Sequence, residues 1–289
     1  MFLLHGDSRY MDVVERTLYN GLISGLSLDG IHFFYPNTLQ HDGTAPFNQG
    51  VNGRSPWFDC SCCPSNLSRF VPSVAGYTYA VSDQGLYINL YMNSHITLHT
   101  EQGDLELEQR SNYPWDGRIE VVFMNEQEVE QSVRLRIPGW ARNQPVPSDL
   151  FNYEGTPSPD VRVLLNGKET QARTEKGYAV LDHAWSEGEV ITLILPMEVR
   201  KVRANEKVEE KRGLVAVELG PVVYCAEEVD NRADVLELTI GSEDRFTSRF
   251  EENLLGGINV VEGAGMKMVP YYSWANRKVG KMNVWFMTE

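Results

Sequence analysis

Gly85-Leu86-Tyr87-Ile88-Asn89-Leu90-Tyr91-Met92 is the stretch that decides the fold class. Leu86, Ile88, Leu90 and Met92 alternate with other residues, and a period of two lines one face of an extended strand. Before Gly76 the rhythm differs: Met11, Val14, Leu18 and Leu22 recur at three- to four-residue spacing, which is a helical stripe. After it, the period of two returns at Ile119/Val121/Phe123, Val133/Leu135/Ile137, Ile191/Leu193/Leu195, Leu236/Leu238/Ile240 and Val284/Phe286. Asn166-Gly167, between Val161–Leu165 and Lys168–Gln171, is the strongest hairpin signal because both residues tolerate positive φ. Many short strands with frequent turns predict a mainly β protein built as β-sandwich.

The helical portion has readable ends. Ser8 is the expected cap of a helix starting near Arg9, with Asp12 and Glu15 in its early turns and an end near Gly25. Met1-Phe2-Leu3-Leu4-His5-Gly6 places buried-type residues directly before a glycine stop, as if a helix were entered halfway; the expectation is a late start or an internal truncation. Asp29-Gly30 turns the chain into the aromatic stretch Ile31 to Tyr35, and a loop then runs from about Thr38 to Asp59. Long irregular loops in compact domains tend to serve function. Gln144 to Pro159, with four prolines, reads as surface loop, and the charged run Arg200 to Arg212 as a boundary between two β-rich regions.

A formal charge of −14 opposes nucleic acid and anionic membranes and suits a neutral ligand such as a sugar. No run of 18 apolar residues exists, and the N-terminus has no basic segment of the secretory kind.

Trp57-Phe58-Asp59-Cys60-Ser61-Cys62-Cys63-Pro64 carries the chemistry. Three of the four cysteines cluster there and Cys225 stands alone, which is not the spread of a disulfide framework. Thiolates are soft ligands that select zinc over hard cations, and a helix starting at Pro64 would favour thiolate over thiol. Three local readings stay open: a structural zinc site, a reactive cysteine, or buried inert thiols. Asp59 reads as a turn-former, His95 and His99 as exposed strand residues, Trp140 as a buried residue closing a sandwich, and Cys225 as a buried small hydrophobe.

Several motifs in order resemble glycoside hydrolase family 127: Asp12 to Gly21, Ser27 to Gly30, Phe33 to Asn37, Trp57 to Asn66, Gly85 to Tyr87, Arg136 to Trp140, Gly220 to Tyr224 and Pro270 to Arg277. The resemblance implies β-sandwich domains preceded by the last helices of a truncated (α/α)6 barrel. The divisions expected are 1–76 for the barrel remnant, 77–205 for a β-sandwich, and 206–289 for a second β-sandwich or β-rich domain. It implies retaining hydrolysis of β-L-arabinofuranosides, with zinc on Cys62 and Cys63, Cys62 as nucleophile, and Cys60 as a further ligand or support. Glu15 and Tyr35 match segments that face the sugar pocket. No Glu-x-Cys occurs in this sequence, so the acid/base Glu and two zinc ligands are expected outside it, leaving the chain alone inactive with weak zinc binding. A non-catalytic carbohydrate-binding or scaffold protein with a relic or structural zinc turn is the alternative. The expected partner is an arabinose-containing oligosaccharide or glycoconjugate, with a second copy in a homodimer as the other candidate. The compartment expected is the cytoplasm, or the periplasm should a signal peptide precede these residues.

Overall fold

The computed structural model describes residues 1–289 and is mainly β. It forms two compact units, each assembled from separated stretches: 1–13, 73–143 and 157–197 in the first, and 14–72, 144–156 and 198–289 in the second. No helix is long and apolar enough to cross a membrane.

The first unit holds two sheets. One has six strands in the order Lys168–Glu169, Arg162–Leu165, Val190–Ile194, Arg118–Phe123, Gly103–Ser111, Ser94–Thr100; the other has five, Arg173–Glu175, Tyr178–Trp185, Val129–Arg136, Gly85–Ile88, Tyr79–Ser82. Phe123 of one sheet stacks on Trp185 of the other with ring centroids 4.0 Å apart. Ile119, Val121, Val133 and Leu135 are fully buried around them, as the alternation requires. At Asn166-Gly167 the φ angles are 51° and 78°, the double positive of a tight hairpin, although the second strand stops at Glu169.

Gly85–Ile88 departs from simple alternation, because all four residues are buried. The strand lies inside its sheet, parallel to Val129–Arg136, and both its faces are covered. Leu86 and Ile88 are wholly buried, while Tyr87 packs edge-on against Tyr178 at 5.1 Å and Phe2 at 5.5 Å. The single turn Phe2–His5 that supplies Phe2 ends at Gly6 in the left-handed region.

The helix Ser8–Arg16 continues as π-helix over Thr17–Leu22 and a 3-10 turn over Ile23–Gly25, ending where the glycine predicts. Its cap is Asp7, not Ser8: Asp7 Oδ1 accepts the Arg9 N–H at 3.0 Å. Ser8 is engaged elsewhere, its amide donating to the Lys176 carbonyl and its hydroxyl accepting from Arg142. Asp12 accepts from Arg136 Nη1 at 2.8 Å, Arg142 Nη2 at 3.1 Å and the Gly139 amide at 3.1 Å. The motif Arg136 to Trp140 is thereby fastened to the helix.

The second unit is built on one eleven-stranded sheet. Its main path runs Thr239–Ile240, Phe286–Thr288, Leu214–Leu219, Val222–Glu227, Met266–Pro270, Ile258–Gly263, Phe246–Glu251. Two segments read as loop contribute strands: Gln40–Asp42 pairs with Lys281–Asn283, and Phe151–Tyr153 pairs with Val199–Ala204. The charged run 200–212 holds most of the strand Val199–Ala204, which pairs back on Leu214–Leu219. Leu236, expected in a strand, sits in a turn because the Asp234 carboxylate accepts its N–H and draws the backbone off the ladder; Leu238 follows outside any strand, and the ladder resumes only at Thr239.

A candidate active site at the Cys60–Cys63 turn

The site lies wholly within the second unit and is held by two short segments. The first is the aromatic stretch. Phe33 exchanges two backbone bonds with Ser55, at 2.8 and 3.0 Å, and the chain bends just after it at Tyr35 and Pro36. Asn48, fully buried, accepts the Tyr35 amide at 2.7 Å and donates to the carbonyls of Phe33 and Gly53. Phe34 is sandwiched: Trp274 stacks on it at 5.1 Å, and the Arg54 guanidinium lies 4.1 Å over its ring. Arg54 also donates to the carbonyls of Ser24, Tyr272 and Trp274; burial pulls its pKa down to about 10. Phe34 is thus pinned inward at 2% exposure, while Tyr35, at the bend that follows, keeps its hydroxyl on the cysteines.

The second segment is the helix Cys62–Phe70, which opens on the paired cysteines. Ser61 precedes it without a side-chain cap, leaving the first-turn amides directed at the thiols' end of the helix. Pro64 and Leu67 bury its inner face, and Cys62 stays exposed.

Together these elements gather the thiols around one phenol. Tyr35 Oη stands 3.3 Å from Cys62 Sγ and 3.9 Å from Cys60 Sγ; Cys63 Sγ lies 3.7 Å from the Tyr35 carbonyl oxygen and 3.8 Å from Cys62 Sγ. Phe58 meets Tyr35 edge-on at 5.6 Å, and the neighbouring Trp57 is exposed. Hydrogen bonding with Tyr35, then with Cys60 and Cys63, holds the Cys62 thiol below its ordinary pKa. Cys63 moves up, through burial and then the neighbouring Cys62 sulfur. Tyr35 is raised by its hydrogen bonds to Cys62 and Cys60. Two adjacent cysteines are thus driven apart in acidity, Cys62 downward and Cys63 upward.

The donor set fits part of a zinc site. Two thiolates on one tetrahedral zinc at about 2.3 Å each stand about 3.8 Å apart, which is the Cys62–Cys63 spacing. A closed site asks for four ligands, and no group of three His, Cys, Asp or Glu side chains in these residues is arranged to hold a metal.

Of the residues singled out from sequence, Tyr35, Cys60, Cys62 and Cys63 come together. Glu15 is 2% exposed, buried on its helix. Asp59 is exposed beside the thiols. His95 and His99 are exposed and pair with Glu106 and Asp104. Trp140 and Cys225 are buried, and burial pushes the Cys225 thiol far up. Asn48, Arg54 and Trp274 were missed as site-builders. Only Trp274 had a signal, as part of the motif Pro270 to Arg277. That motif closes on two others: Trp274 Nε1 donates to Asn37 Oδ1 at 3.1 Å, and Asn276 Oδ1 accepts the Leu28 amide at 2.8 Å.

Three family models, in order along the chain, identify the class that this β-rich scaffold with its exposed cysteine turn belongs to as glycoside hydrolase. The chain belongs to glycoside hydrolase family 127. The β-L-arabinofuranosidase catalytic domain of that family matches residues 1–76, its middle domain 85–197 and its C-terminal domain 199–287. A non-reducing end β-L-arabinofuranosidase of Bifidobacterium longum subsp. longum is 34% identical over 98% of this chain and 46% of its own length. Among solved structures, a family 127 β-arabinofuranosidase superposes with a TM-score of 0.93 at 41% identity, over 100% of this chain and 47% of that one. The β-L-arabinofuranosidase of Geobacillus stearothermophilus T6 does so with 0.88 at 32%, over 100% and 48%. The chain therefore spans about half the length of the relatives it matches.

Proposed function

We propose that these residues form the nucleophile-bearing part of a retaining β-L-arabinofuranosidase, in which Cys62 attacks the anomeric carbon of a terminal arabinofuranose. The observation that carries the reading is the pair of sulfurs 3.8 Å apart with the Tyr35 hydroxyl on the outer one. Cys62 Sγ forms the new C–S bond as the glycosidic C–O bond breaks, giving a thioglycosyl intermediate on this chain. A Glu outside these 289 residues donates the proton to the leaving oxygen and then deprotonates the water that displaces the sulfur, so the two inversions sum to retention. Cys62 and Cys63 would hold zinc, completed by a Glu and a Cys from outside these residues, and when bound it would keep sulfur ionised near neutral pH. Tyr35 orients Cys62 through its hydroxyl, and Glu15 and Tyr35 are the candidates for hydrogen bonds to the sugar. Cys60, which accepts from the same hydroxyl at 3.9 Å and also meets Cys62, supports that arrangement.

Kinetics and metal analysis on the protein as its gene encodes it test this together. Cys62→Ser should abolish hydrolysis of an aryl β-L-arabinofuranoside, and Cys63→Ser should lower both zinc content and rate. Cys60→Ser should cost far less. Full activity in Cys62→Ser would remove the nucleophile assignment, and unchanged zinc content in the Cys62→Ser/Cys63→Ser double variant would remove the metal assignment.

A further inference from the structure

The second unit contains another cleft, of ≈ 500 Å³, that shares no lining residue with the thiol cluster. Its walls include Leu39, Phe151, Val284 and Trp285, with the rings of Phe151 and Trp285 6.0 Å apart. Arg16 and Glu218 line it as an ion pair, and Glu218 is 1% exposed. The Tyr153 hydroxyl also donates to Glu218, at 3.2 Å. A carboxylate has about four lone-pair positions, so these two donors leave Glu218 acceptor capacity. Lys211 stands on the same cleft with its ammonium 5.6 Å over the Trp285 ring and in no ion pair.

This lining selects among ligands by elimination. A cation meets Arg16 and Lys211, and an anion meets Glu218. A purely apolar molecule would cover those charged groups without replacing the water they lose, and each polar group left unsatisfied is penalised. A neutral polyhydroxyl ring escapes all three penalties. Its hydroxyls donate to Glu218 and accept from Arg16 and Lys211, while its C–H face rests on an indole. The volume also falls within the range of about 300–1,000 Å³ usual for small-molecule sites. We propose that this cleft is a second sugar-binding site, separate from the cysteine centre, that takes one neutral monosaccharide ring or the terminal ring of an oligosaccharide through Trp285, Lys211 and the Arg16–Glu218 pair.

Saturation-transfer NMR on the protein as its gene encodes it tests this, with methyl β-L-arabinofuranoside and L-arabinose as probes and benzoate and cyclohexanol as competitors. The background is Cys62→Ala/Cys63→Ala, so that binding at the thiol cluster does not contribute. Saturable sugar binding should persist in that background, weaken about tenfold or more in Trp285→Ala, and weaken severalfold in Lys211→Met. Lys211→Met changes only the end of a cleft-edge side chain and serves should Trp285→Ala unfold. Neither competitor should displace the sugar. The proposal is overturned by sugar binding that is unchanged in both cleft variants, by loss of all binding on removing the two thiols, by displacement with benzoate or cyclohexanol, or by a folded chain that binds no sugar saturably.

Discussion

At the scale of single residues, buried charges set the strictest demands. Arg136 is wholly buried, and the Asp12 carboxylate that meets it is nearly so. Removing one member of such a pair strands the other in low dielectric. Asp12→Ala should therefore destabilise the first unit by ~3–5 kcal/mol, read as a fall in the urea midpoint of its unfolding. A shift below ~1 kcal/mol would show that water reaches the guanidinium. Asp42 shows the opposite regime, an exposed carboxylate that orders a turn. It accepts the amides of Thr44 and Ala45, each at 2.8 Å, and these bonds hold its pKa below the ordinary 3.8. A depressed acid contributes stability that is fully present above the unfolded value and is lost as pH falls through the lower folded one. Protection of the Thr44 and Ala45 amides from hydrogen exchange, corrected for intrinsic rates, should thus hold from neutrality to about pH 4 and decline only below it. A decline starting near pH 6 would point to a different group.

At the scale of elements, polar side chains decide how helix and hairpin meet. Asn20 donates to the Pro221 carbonyl at 2.8 Å and accepts the Val223 amide at 2.8 Å, so one amide side chain reads both sides of the Gly220-Pro221 turn. Asn20→Leu leaves those groups without their partner and should cost ~1–3 kcal/mol, with the Val223 amide losing exchange protection first. Unaltered Val223 exchange in a folded variant would contradict that linkage. Such long-range bonds explain what the sequence did and did not show. Alternation located Ile119–Phe123 and Val133–Ile137 because one face of each strand meets a core. It misread Leu236, where a local Asp234 bond outweighs the pattern, and Leu238 just after it. Gln40–Asp42 and Phe151–Tyr153 were unreadable as strands because each is three residues long and owes its state to a distant partner. The Ser8 cap failed for the same reason: Lys176 and Arg142, far along the chain, claim that serine.

At the scale of the whole molecule, the chain enters each compact unit more than once, so linear composition could not outline them. The candidate site was more legible than this architecture. Adjacent cysteines before a proline are local and chemically distinctive, and Tyr35 fell in a motif of its own. Its supports, Asn48 and Arg54, looked like ordinary loop residues because their work lies in backbone carbonyls brought together only by folding.

The central claim is that Cys62 forms a covalent bond to the sugar. Acid-quenching the protein, as its gene encodes it, during turnover of an aryl β-L-arabinofuranoside, and then mapping the peptides by mass spectrometry, tests this most directly. The account predicts one pentosyl group on the peptide holding Cys62, absent when that residue is alanine. A pentosyl group on a carboxylate, or sustained turnover with Cys62 alkylated, would contradict it.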